Sequence, residues 1–516
     1  IIVIKFGDMH ILYLISTNRM TTLEDFDNLY KTHYSRDLMS IETRLMYLKQ
    51  FKRAYYANKQ QLIDALQKDL HKSTQQSKLF EMLGLEHEMD YFIGKLKKLS
   101  KPRRESVTFQ TLNASVFTRP EPLGPTAIIT PFNFPVNLSL TPLVGCIAAG
   151  NPACVKYSRS TPHVRDAVVK LLQDAALPRT SYFVFDGSNQ FLMEQTFALV
   201  VFTGSTATGR EIYQNAASKL SKCVLELGGC NPCVVEESAD FAMASGQILQ
   251  GRFTNAGQLC ISPNYIAFVG SDEKYQEFCR CLTKKLSVFA KSYEHLAKIV
   301  DVEKFEKLET LVRDKKIITQ VFPGSQLQKF DQALMDQQKQ SLLFPPTLFE
   351  TDLEDPCLTT ELFGPVLPVV RVGTFDDFQK FFDARYQKQC KPLSSYFFSA
   401  DKQLISRFQT LPAGAVNINS ALIYMNSALP FGGVGESGLG CYHGAHSFEQ
   451  FSHFKPHFEV GNSKLAALQN NLFVKILTAP HKIQFPDWIM RLISVPVAID
   501  FKIVAIIVLA VMLVLK

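Results

Sequence analysis

The stretch ALVVFTGSTATG, residues 198–209, combines a strand, a turn and a helix start, and this combination decides the fold class. The run ALVVF has the short apolar, β-branched character of a buried strand. Thr203, Gly204 and Ser205 then form a turn, and a helix is predicted to start near Thr206. A strand that enters a helix through so short a turn is typical of α/β proteins.

The same alternation continues on both sides of this stretch. The runs TAIIT (126–130), ACVK (153–156) and CVLEL (223–227) predict further strands, and HVRDAVVKLLQDAAL (163–177) has helical spacing. Further along, YIAFV and a helical stretch around 275–286 repeat the pattern. A chain of 516 residues is long enough for two large domains, so we predict two α/β units.

The segment before these strands has a different pattern. Between residues 42 and 70, Leu62, Leu66 and Leu70 recur at every fourth position among charged and amide side chains. This spacing predicts a long helix with one apolar face.

The composition excludes several classes of protein. Hydrophobic residues make up 46% and charged residues 20%, values typical of globular proteins. The net charge of +7 comes without a long basic run, which argues against nucleic acid as a partner. The eleven cysteines are scattered, which favours reduced thiols. Cys230 and Cys233 are spaced C-x-x-C without a second ligand pair, so we predict no metal site.

The two ends of the chain differ from the rest. Residues 1–19 are apolar but interrupted by charges, fit neither a signal peptide nor a membrane span, and are treated as an extension of uncertain status. Residues 503–515 are thirteen uncharged residues, which as a helix cover about 20 Å of a hydrocarbon core about 30 Å thick. We interpret residues 492–515 as a membrane anchor, with a buried terminal helix as the alternative.

Four short segments carry groups suited to catalysis. FTNAGQLC (253–260) ends in a cysteine next to a strand, although a single free cysteine is more often a small buried hydrophobe. ELGG places Glu226 at a strand end, and PFNFP holds Asn133 in a turn between prolines. ELFGP offers Glu361 and Phe363. Each segment alone also has a plain structural interpretation as a turn.

Together, these segments are similar to a known family. PFNFP, FTGSTATG, ELGGCNP, FTNAGQLC, ELFGPV and PFGGVGESGLG resemble, in this order, the signature segments of the aldehyde dehydrogenase superfamily over roughly residues 23–456. The ending GLGCYHGAHSFEQFSHFKP resembles the class 3 or fatty aldehyde branch.

The resemblance implies a domain plan and a homodimer. It implies a Rossmann-type cofactor domain at 20–228, to which 101–120 adds part of a small β bridging element, and an α/β catalytic domain at 229–417. A bridging and oligomerisation segment at 418–456 and a hydrophobic tail at 457–516 would follow.

The resemblance also implies roles for single residues. Cys260 would be the nucleophile, Glu226 the general base and Asn133 an oxyanion-hole donor. A free thiol is only slightly ionised at pH 7, so such a site must help to deprotonate it. An amide donor aimed at the oxyanion stabilises the tetrahedral intermediate.

The predicted cofactor is NAD, and NADP is possible. FTGSTATG takes the place of the usual G-x-G-x-x-G, and its helix start would face the pyrophosphate. The implied cofactor contacts are Lys156, Thr203, Gly204, Ser205, Gly209, Glu361 and Phe363.

One residue departs from the family pattern. Arg159 stands where the family typically has a glutamate that accepts hydrogen bonds from the adenosine ribose. Losing an acid and gaining a cation favours a 2′-phosphate. The alternative is that Arg159 simply points to solvent.

The function predicted from these features is NAD(P)-dependent oxidation of medium- or long-chain aliphatic aldehydes to acids. The enzyme would be attached to a membrane through its tail, facing the cytoplasm, at the endoplasmic reticulum. Two alternatives stay open: a membrane-bound pseudoenzyme or scaffold with the same fold, and a soluble semialdehyde dehydrogenase.

Overall fold

The computed structural model describes residues 2–6, 9–13, 22–106, 114–291, 293–387, 391–422 and 429–460. Within these ranges, no helix is both long enough and apolar enough to cross a membrane. The predicted anchor at 492–515 lies outside the described residues, and the predicted tail at 457–516 is described only as far as Val460.

The strands of the described part are, in chain order, β1 (Ile2–Phe6), β2 (Met9–Tyr13), β3 (Arg103–Arg104), β4 (Ala114–Pro122), β5 (Thr126–Ile129), β6 (Ala153–Lys156), β7 (Tyr182–Phe185), β8 (Leu199–Thr203), β9 (Lys222–Glu226), β10 (Pro232–Glu236), β11 (Tyr265–Val269), β12 (Lys316–Phe322), β13 (Ser325–Leu327), β14 (Thr347–Thr351), β15 (Val366–Val372), β16 (Ser394–Phe398), β17 (Ala415–Ile418), β18 (Gly438–Leu439) and β19 (Ser452–Val460).

The α-helices are α1 (Leu23–Ser35), α2 (Ile41–Leu70), α3 (Thr74–Gln76), α4 (Leu83–Leu99), α5 (Asn137–Ala149), α6 (Pro162–Asp174), α7 (Asn189–Glu194), α8 (Thr206–Ser218), α9 (Phe241–Phe253), α10 (Asp272–Leu286), α11 (Val302–Arg313), α12 (Gln332–Ser341), α13 (Phe375–Gln387), α14 (Lys402–Phe408) and α15 (Gly444–Gln450).

A six-stranded sheet has the order β18-β9-β8-β5-β6-β7, with β5 to β9 parallel. The chain starts in the centre at β5, proceeds outward through β6 and β7, and then crosses to β8 and β9 on the other side. This is the strand order of a Rossmann-type domain, in which ligands bind at the point where the order reverses. The sequence prediction of a Rossmann-type domain is confirmed.

An eight-stranded sheet has the order β13-β12-β14-β15-β11-β10-β16-β17. Strands β14, β15, β11, β10, β16 and β17 are parallel, and β12 and β13 are added antiparallel at one edge. Apolar clusters cover both faces of its central strands, as expected for a parallel sheet with helices on each side. The predicted second α/β domain is therefore present.

The long helix predicted between residues 42 and 70 is α2. The Ser40 hydroxyl caps its start by accepting a hydrogen bond from the N–H of Thr43. Leu62, Leu66 and Leu70 are all buried, so the predicted apolar face is confirmed.

The described chain divides into two compact units. The described residues within 1–96 and 123–451 form one unit, which contains both large sheets, and the described residues within 97–122 and 452–460 form the other. In the second unit, β19 pairs with β4 over nine residues, and β3 pairs with the other edge of β4. The Arg103 guanidinium lies 4.6 Å from the centre of the Phe454 ring.

This small sheet has different bounds from the bridging segment predicted at 418–456. The strand from the C-terminal side covers only Ser452–Val460. Residues 438–439 of the predicted segment instead form β18 and pair with β9 in the six-stranded sheet. Within the N-terminal extension, β1 and β2 pair as an antiparallel hairpin.

Candidate active site

The parallel strands of the six-stranded sheet bring several predicted site residues to one edge. Lys156, the last residue of β6, is in register with Ile129 at the end of β5, and Ile129 is in register with Phe202 on β8. Thr203, which follows Phe202, is paired with Glu226 at the end of β9. Because these strands are parallel, their carboxyl ends meet at the same edge of the sheet.

A cavity of about 800 Å³ opens at this edge. Among the residues that line it are nearly all those predicted for catalysis and cofactor binding: Asn133, Lys156, Thr203, Gly204, Ser205, Glu226, Cys260, Glu361 and Phe363. The domain that contains β10 to β17 contributes Cys260, Glu361 and Phe363, so residues of both domains line one cavity.

Cys260 follows a turn with unusual backbone geometry. Asn255, Ala256 and Gly257 have φ values of 52°, 54° and 70°, so three successive residues are in the left-handed region. Gly257 is required here, because a Cβ at this position would lie 2.2 Å from the carbonyl oxygen of Gly364. Side-chain hydrogen bonds hold this turn in place. The Gln258 amide donates to the carbonyl of Lys298 at 2.8 Å, and the Asn231 amide donates to the carbonyl of Cys260 at 2.7 Å.

Asn133 is tied to the same turn. Its side-chain Nδ2 donates a hydrogen bond to the carbonyl of Gln258 at 3.0 Å, and the Asn255 amide donates to the Asn133 carbonyl at 3.1 Å. Asn133 is buried, and its Oδ1 has no hydrogen-bond partner among the described residues. Since a side-chain amide has two N–H donors, the second is available to a ligand in the cavity that Asn133 lines.

Glu226 is buried at the end of β9, and neither of its carboxylate oxygens has a hydrogen-bond partner among the described residues. Burial raises the pKa of this carboxyl well above its usual range. A buried carboxyl group without partners is a costly feature for a purely structural residue. A cavity-facing acid of raised pKa is suited to exchange protons with water.

The surroundings of the Cys260 thiol disfavour its ionised form. Burial raises its pKa, and the nearby carboxylates of Glu361 and Glu226 raise it further. Hydrogen bonds from the backbone N–H groups of Ile261 and Cys260 oppose this rise.

Glu361 projects over the loop that follows Glu226. The N–H of Gly229 donates to Glu361 Oε1 at 3.4 Å. Burial raises the pKa of Glu361 to about 7, while this N–H and the cations of Lys304 and Arg252 oppose the rise. Phe363 has a φ of 47° and its ring packs edge-on against Phe132, with centroids 6.0 Å apart.

The cavity also has features that a nucleotide with phosphate groups requires. The first turn of α8 follows Ser205, whose hydroxyl caps the helix by accepting from the N–H of Thr208 at 3.3 Å. The remaining first-turn N–H groups have no partner within the helix and attract anions. Lys156 and Arg159 both line the cavity. Desolvation, followed by the charge of Arg159, lowers the pKa of the buried Lys156.

Gly209 is the one predicted cofactor residue placed elsewhere. It is buried in α8, and a Cβ there would lie 2.5 Å from Leu227 Cδ2. Gly209 is not among the described residues that line the cavity. Its position indicates a role in packing α8 closely against the end of β9.

Six supporting residues were not singled out from the sequence, although three of them lie within the motifs FTNAGQLC and ELGGCNP. They are Lys72, Glu81, Asn231, Arg252, Asn255 and Gln258, which hold the turns described above and below. Arg252 is buried and donates hydrogen bonds to the carbonyls of Pro263 and Gly364, so it links the Cys260 segment to the ELFGP turn. In the described part of the chain, no three His, Cys, Asp or Glu residues are grouped as metal ligands.

Comparisons with known proteins agree with this arrangement. The sequence pattern of the aldehyde dehydrogenase family matches residues 30–456. Aldehyde dehydrogenase family 3 member A2 of Mus musculus is 32% identical over 420 residues, covering 80% of this chain and 83% of that protein. The rat protein named aldehyde dehydrogenase, dimeric NADP-preferring, is 31% identical and covers 80% of this chain and 89% of its own.

The fold has a close structural counterpart. The substrate-bound state of Staphylococcus aureus AldH superimposes with a TM-score of 0.78 at 29% identity, covering 86% of this chain and 95% of that chain. The motifs, the two sheets and the family match agree: the chain belongs to the aldehyde dehydrogenase family.

Proposed function

We propose that this chain oxidises medium- or long-chain aliphatic aldehydes to carboxylic acids with NAD or NADP, through a thiohemiacetal and a thioester on Cys260. The observation that carries the proposal is one cavity lined by a thiol, an amide donor and a buried carboxyl that has no partner among the described residues, together with a helix start and the cations Lys156 and Arg159. The name of the rat relative, which prefers NADP, supports a dinucleotide as the second substrate.

The first half of the reaction forms the thioester. Cys260 loses its proton to a base, and its sulfur forms a C–S bond with the aldehyde carbon. The carbonyl oxygen becomes an oxyanion that accepts a hydrogen bond from the free N–H of the Asn133 amide. The nicotinamide, when bound, supplies an acceptor for the hydride that leaves this carbon. Thr203, Gly204, Ser205 and Lys156 would hold the dinucleotide, and Glu361 and Phe363 would lie at its nicotinamide end.

The second half hydrolyses the thioester. Glu226, in its ionised form, takes a proton from a water molecule that attacks the thioester carbon. The C–S bond breaks and the carboxylic acid leaves, and the sulfur takes the proton back from Glu226, which restores the thiol. The turn that pins Cys260 and Asn133 together keeps the same oxyanion donor in place for both steps.

The substrate class follows from the resemblance and from the apolar tail. Each methylene group transferred from water to an apolar surrounding contributes about 0.8 kcal/mol, so long aldehydes partition into membranes. Attachment through residues 492–515 would place the cavity where such substrates accumulate. We propose that the enzyme is a homodimer attached to the endoplasmic reticulum and facing the cytoplasm.

The test of the chemistry compares wild type with Cys260→Ala. Full-length protein in membrane fractions is expected to produce NADH or NADPH from hexadecanal, and Cys260→Ala to produce none. Cys281→Ala, which removes another partly exposed thiol on α10, is the matched control and should retain activity. Activity that survives Cys260→Ala would refute the assigned nucleophile. Stoichiometric alkylation of Cys260 without turnover on any aldehyde would favour a scaffold instead.

The test of attachment is separate. A chain ending near residue 464 should leave the membrane fraction and still oxidise short aldehydes. Protease added to intact microsomes should cleave the full-length protein if it faces the cytoplasm. Full-length protein recovered in the soluble fraction of a lysate would refute the anchor, and a monomeric mass in light scattering would refute the dimer.

A further inference from the structure

A buried ion pair lies behind the PFNFP turn. Lys72 and Glu81 are both fully buried, and Lys72 Nζ lies 2.6 Å from Glu81 Oε1. Lys72 follows the end of α2, and Glu81 lies in the π-helical segment Ser77–Met82 between α3 and α4. Single π-helical turns inside helices are found frequently at functional sites.

The pair makes its other contacts with the turn that carries Asn133. Lys72 Nζ donates to the Asn133 carbonyl at 2.6 Å and lies 3.9 Å from the centre of the Phe134 ring. Glu81 Oε2 accepts the N–H groups of Val136 at 3.1 Å and Asn137 at 2.9 Å. Since Val136 offers no side-chain cap, the Glu81 carboxylate caps the start of α5.

These contacts decide where the Asn133 side chain points. The Asn133 carbonyl accepts from both Lys72 and Asn255, while its amide donates to Gln258, two residues before Cys260. The backbone and the side chain of Asn133 are therefore both held. An oxyanion donor misplaced by about 1 Å can lose on the order of 100-fold in rate.

We propose that the Lys72–Glu81 pair is a positioning device that aims the Asn133 amide at the oxyanion formed on the Cys260 adduct. The proposal rests on the proposed function, because the oxyanion exists only if Cys260 attacks a carbonyl. Lys72 itself touches no reacting atom and acts only through Asn133. Stability alone does not account for the pair, because a buried ion pair often stabilises a fold no better than apolar side chains of the same size.

The experiment measures single-turnover oxidation of an aldehyde and the alkylation rate of Cys260 by iodoacetamide. Alkylation forms no oxyanion, so it separates a misplaced donor from a damaged thiol. Lys72→Met should slow oxidation by about 10- to 100-fold and leave alkylation within about threefold of wild type. Lys59→Met, which breaks the Lys59–Glu86 pair of the same 2.6 Å length between α2 and α4, should leave both rates unchanged.

A double-mutant cycle tests whether Lys72 acts through Asn133. Asn133→Ala should slow oxidation by about 100- to 1,000-fold, and adding Lys72→Met should change that rate by less than about threefold. Losses that multiply, or alkylation that slows in parallel with oxidation, would overturn the positioning role.

Folding must be intact for these rates to be compared. If Lys72→Met does not fold, the neutral pair Lys72→Met/Glu81→Gln carries the same expectation, because the glutamine oxygen can still accept the N–H groups of α5. An unchanged oxidation rate in either variant overturns the proposal. Wild-type protein that oxidises no aldehyde overturns the proposed function and this role together, whereas active wild type with unaffected variants overturns this role alone.

Discussion

Gly228 leaves the space that the Glu361 carboxylate occupies: a Cβ built on Gly228 would lie 2.2 Å from Glu361 Oε2. The neighbouring N–H of Gly229 donates to the other oxygen of the same carboxylate. The two glycines of the ELGG segment therefore contact the Glu361 carboxylate, and they directly follow Glu226 in the chain.

Replacing Gly228 with alanine should push the Glu361 carboxylate out of its place. The side chain can rotate, so the fold should survive, but the dinucleotide end of the cavity should change. We expect the KM for the cofactor to rise by about 10-fold, the equivalent of about 1.4 kcal/mol of binding, with kcat less affected. Steady-state kinetics at varied cofactor concentration measure this change.

Gly246→Ala is the matched control for that variant. Gly246 lies within α9, where an added Cβ comes no closer than 3.5 Å to Lys285 Nζ. The control should raise stability by about 0.5 to 1 kcal/mol through helix propensity and leave the cofactor KM unchanged. An unchanged KM in Gly228→Ala would show that Glu361 does not contact the cofactor.

The raised pKa of Glu226 predicts how thioester hydrolysis depends on pH. The base acts in its ionised form, and burial raises its pKa, so the fraction of active base is small at acidic pH and increases as pH rises through that pKa. The hydrolysis rate should therefore climb with pH well above the usual carboxyl range. Rapid-quench measurements of thioester decay across the pH range check this slope.

Glu226→Gln should remove both the rate and its pH dependence. Hydrolysis should fall by at least about 100-fold, while the first hydride transfer still gives a burst of reduced cofactor. Glu361→Gln removes another carboxyl that lines the cavity, whose pKa is about 7, and should leave the pH profile of hydrolysis in place. A profile that persists in Glu226→Gln would assign the base to another group.

How much of the site could be predicted depends on how far apart its residues lie along the sequence. The strand runs and their turns are local signals, so the α/β fold and the residues at strand ends, such as Thr203 and Glu226, could be predicted from the sequence. Parallel pairing then brings them to one edge without further information. Arg159, which follows the strand that ends at Lys156, is also visible in the sequence.

The supporting contacts could not be predicted in this way. Lys72 reaches a carbonyl 61 residues away, and Glu81 caps a helix 55 residues away, so no periodicity in the sequence links them. Gly209 is predicted as a cofactor residue only through its place in a motif. It belongs to the FTGSTATG segment, but the tight approach to Leu227 accounts for it through packing alone.

The left-handed turn before Cys260 predicts a strong effect at Gly257. Ala256 already adopts a positive φ, so conformation alone does not exclude alanine next to it. A steric clash excludes alanine at position 257, because the Gly364 carbonyl oxygen would lie 2.2 Å from the added Cβ. Hydrogen bonds hold both segments in place, so neither can move away. Gly257→Ala should lose at least about 2 kcal/mol of unfolding free energy and slow Cys260 alkylation. Denaturant unfolding checks the stability, and Ala256→Gly, which relieves a strained residue, should stay within about 1 kcal/mol of wild type.

The last prediction concerns the choice between NAD and NADP. Arg159 is exposed and lines the same cavity as Lys156, so the ribose end of a dinucleotide would meet two cations there. A guanidinium favours the 2′-phosphate of NADP, and a glutamate would repel it while accepting hydrogen bonds from a free ribose. Arg159→Glu should lower the ratio of kcat/KM for NADP to that for NAD by at least about 10-fold, or about 1.4 kcal/mol. Lys170→Glu makes the same charge change on α6, where Lys170 pairs with Asp174 at the surface, and should leave the ratio unchanged. Equal ratios in wild type and Arg159→Glu would mean that Arg159 faces solvent and plays no part in cofactor choice.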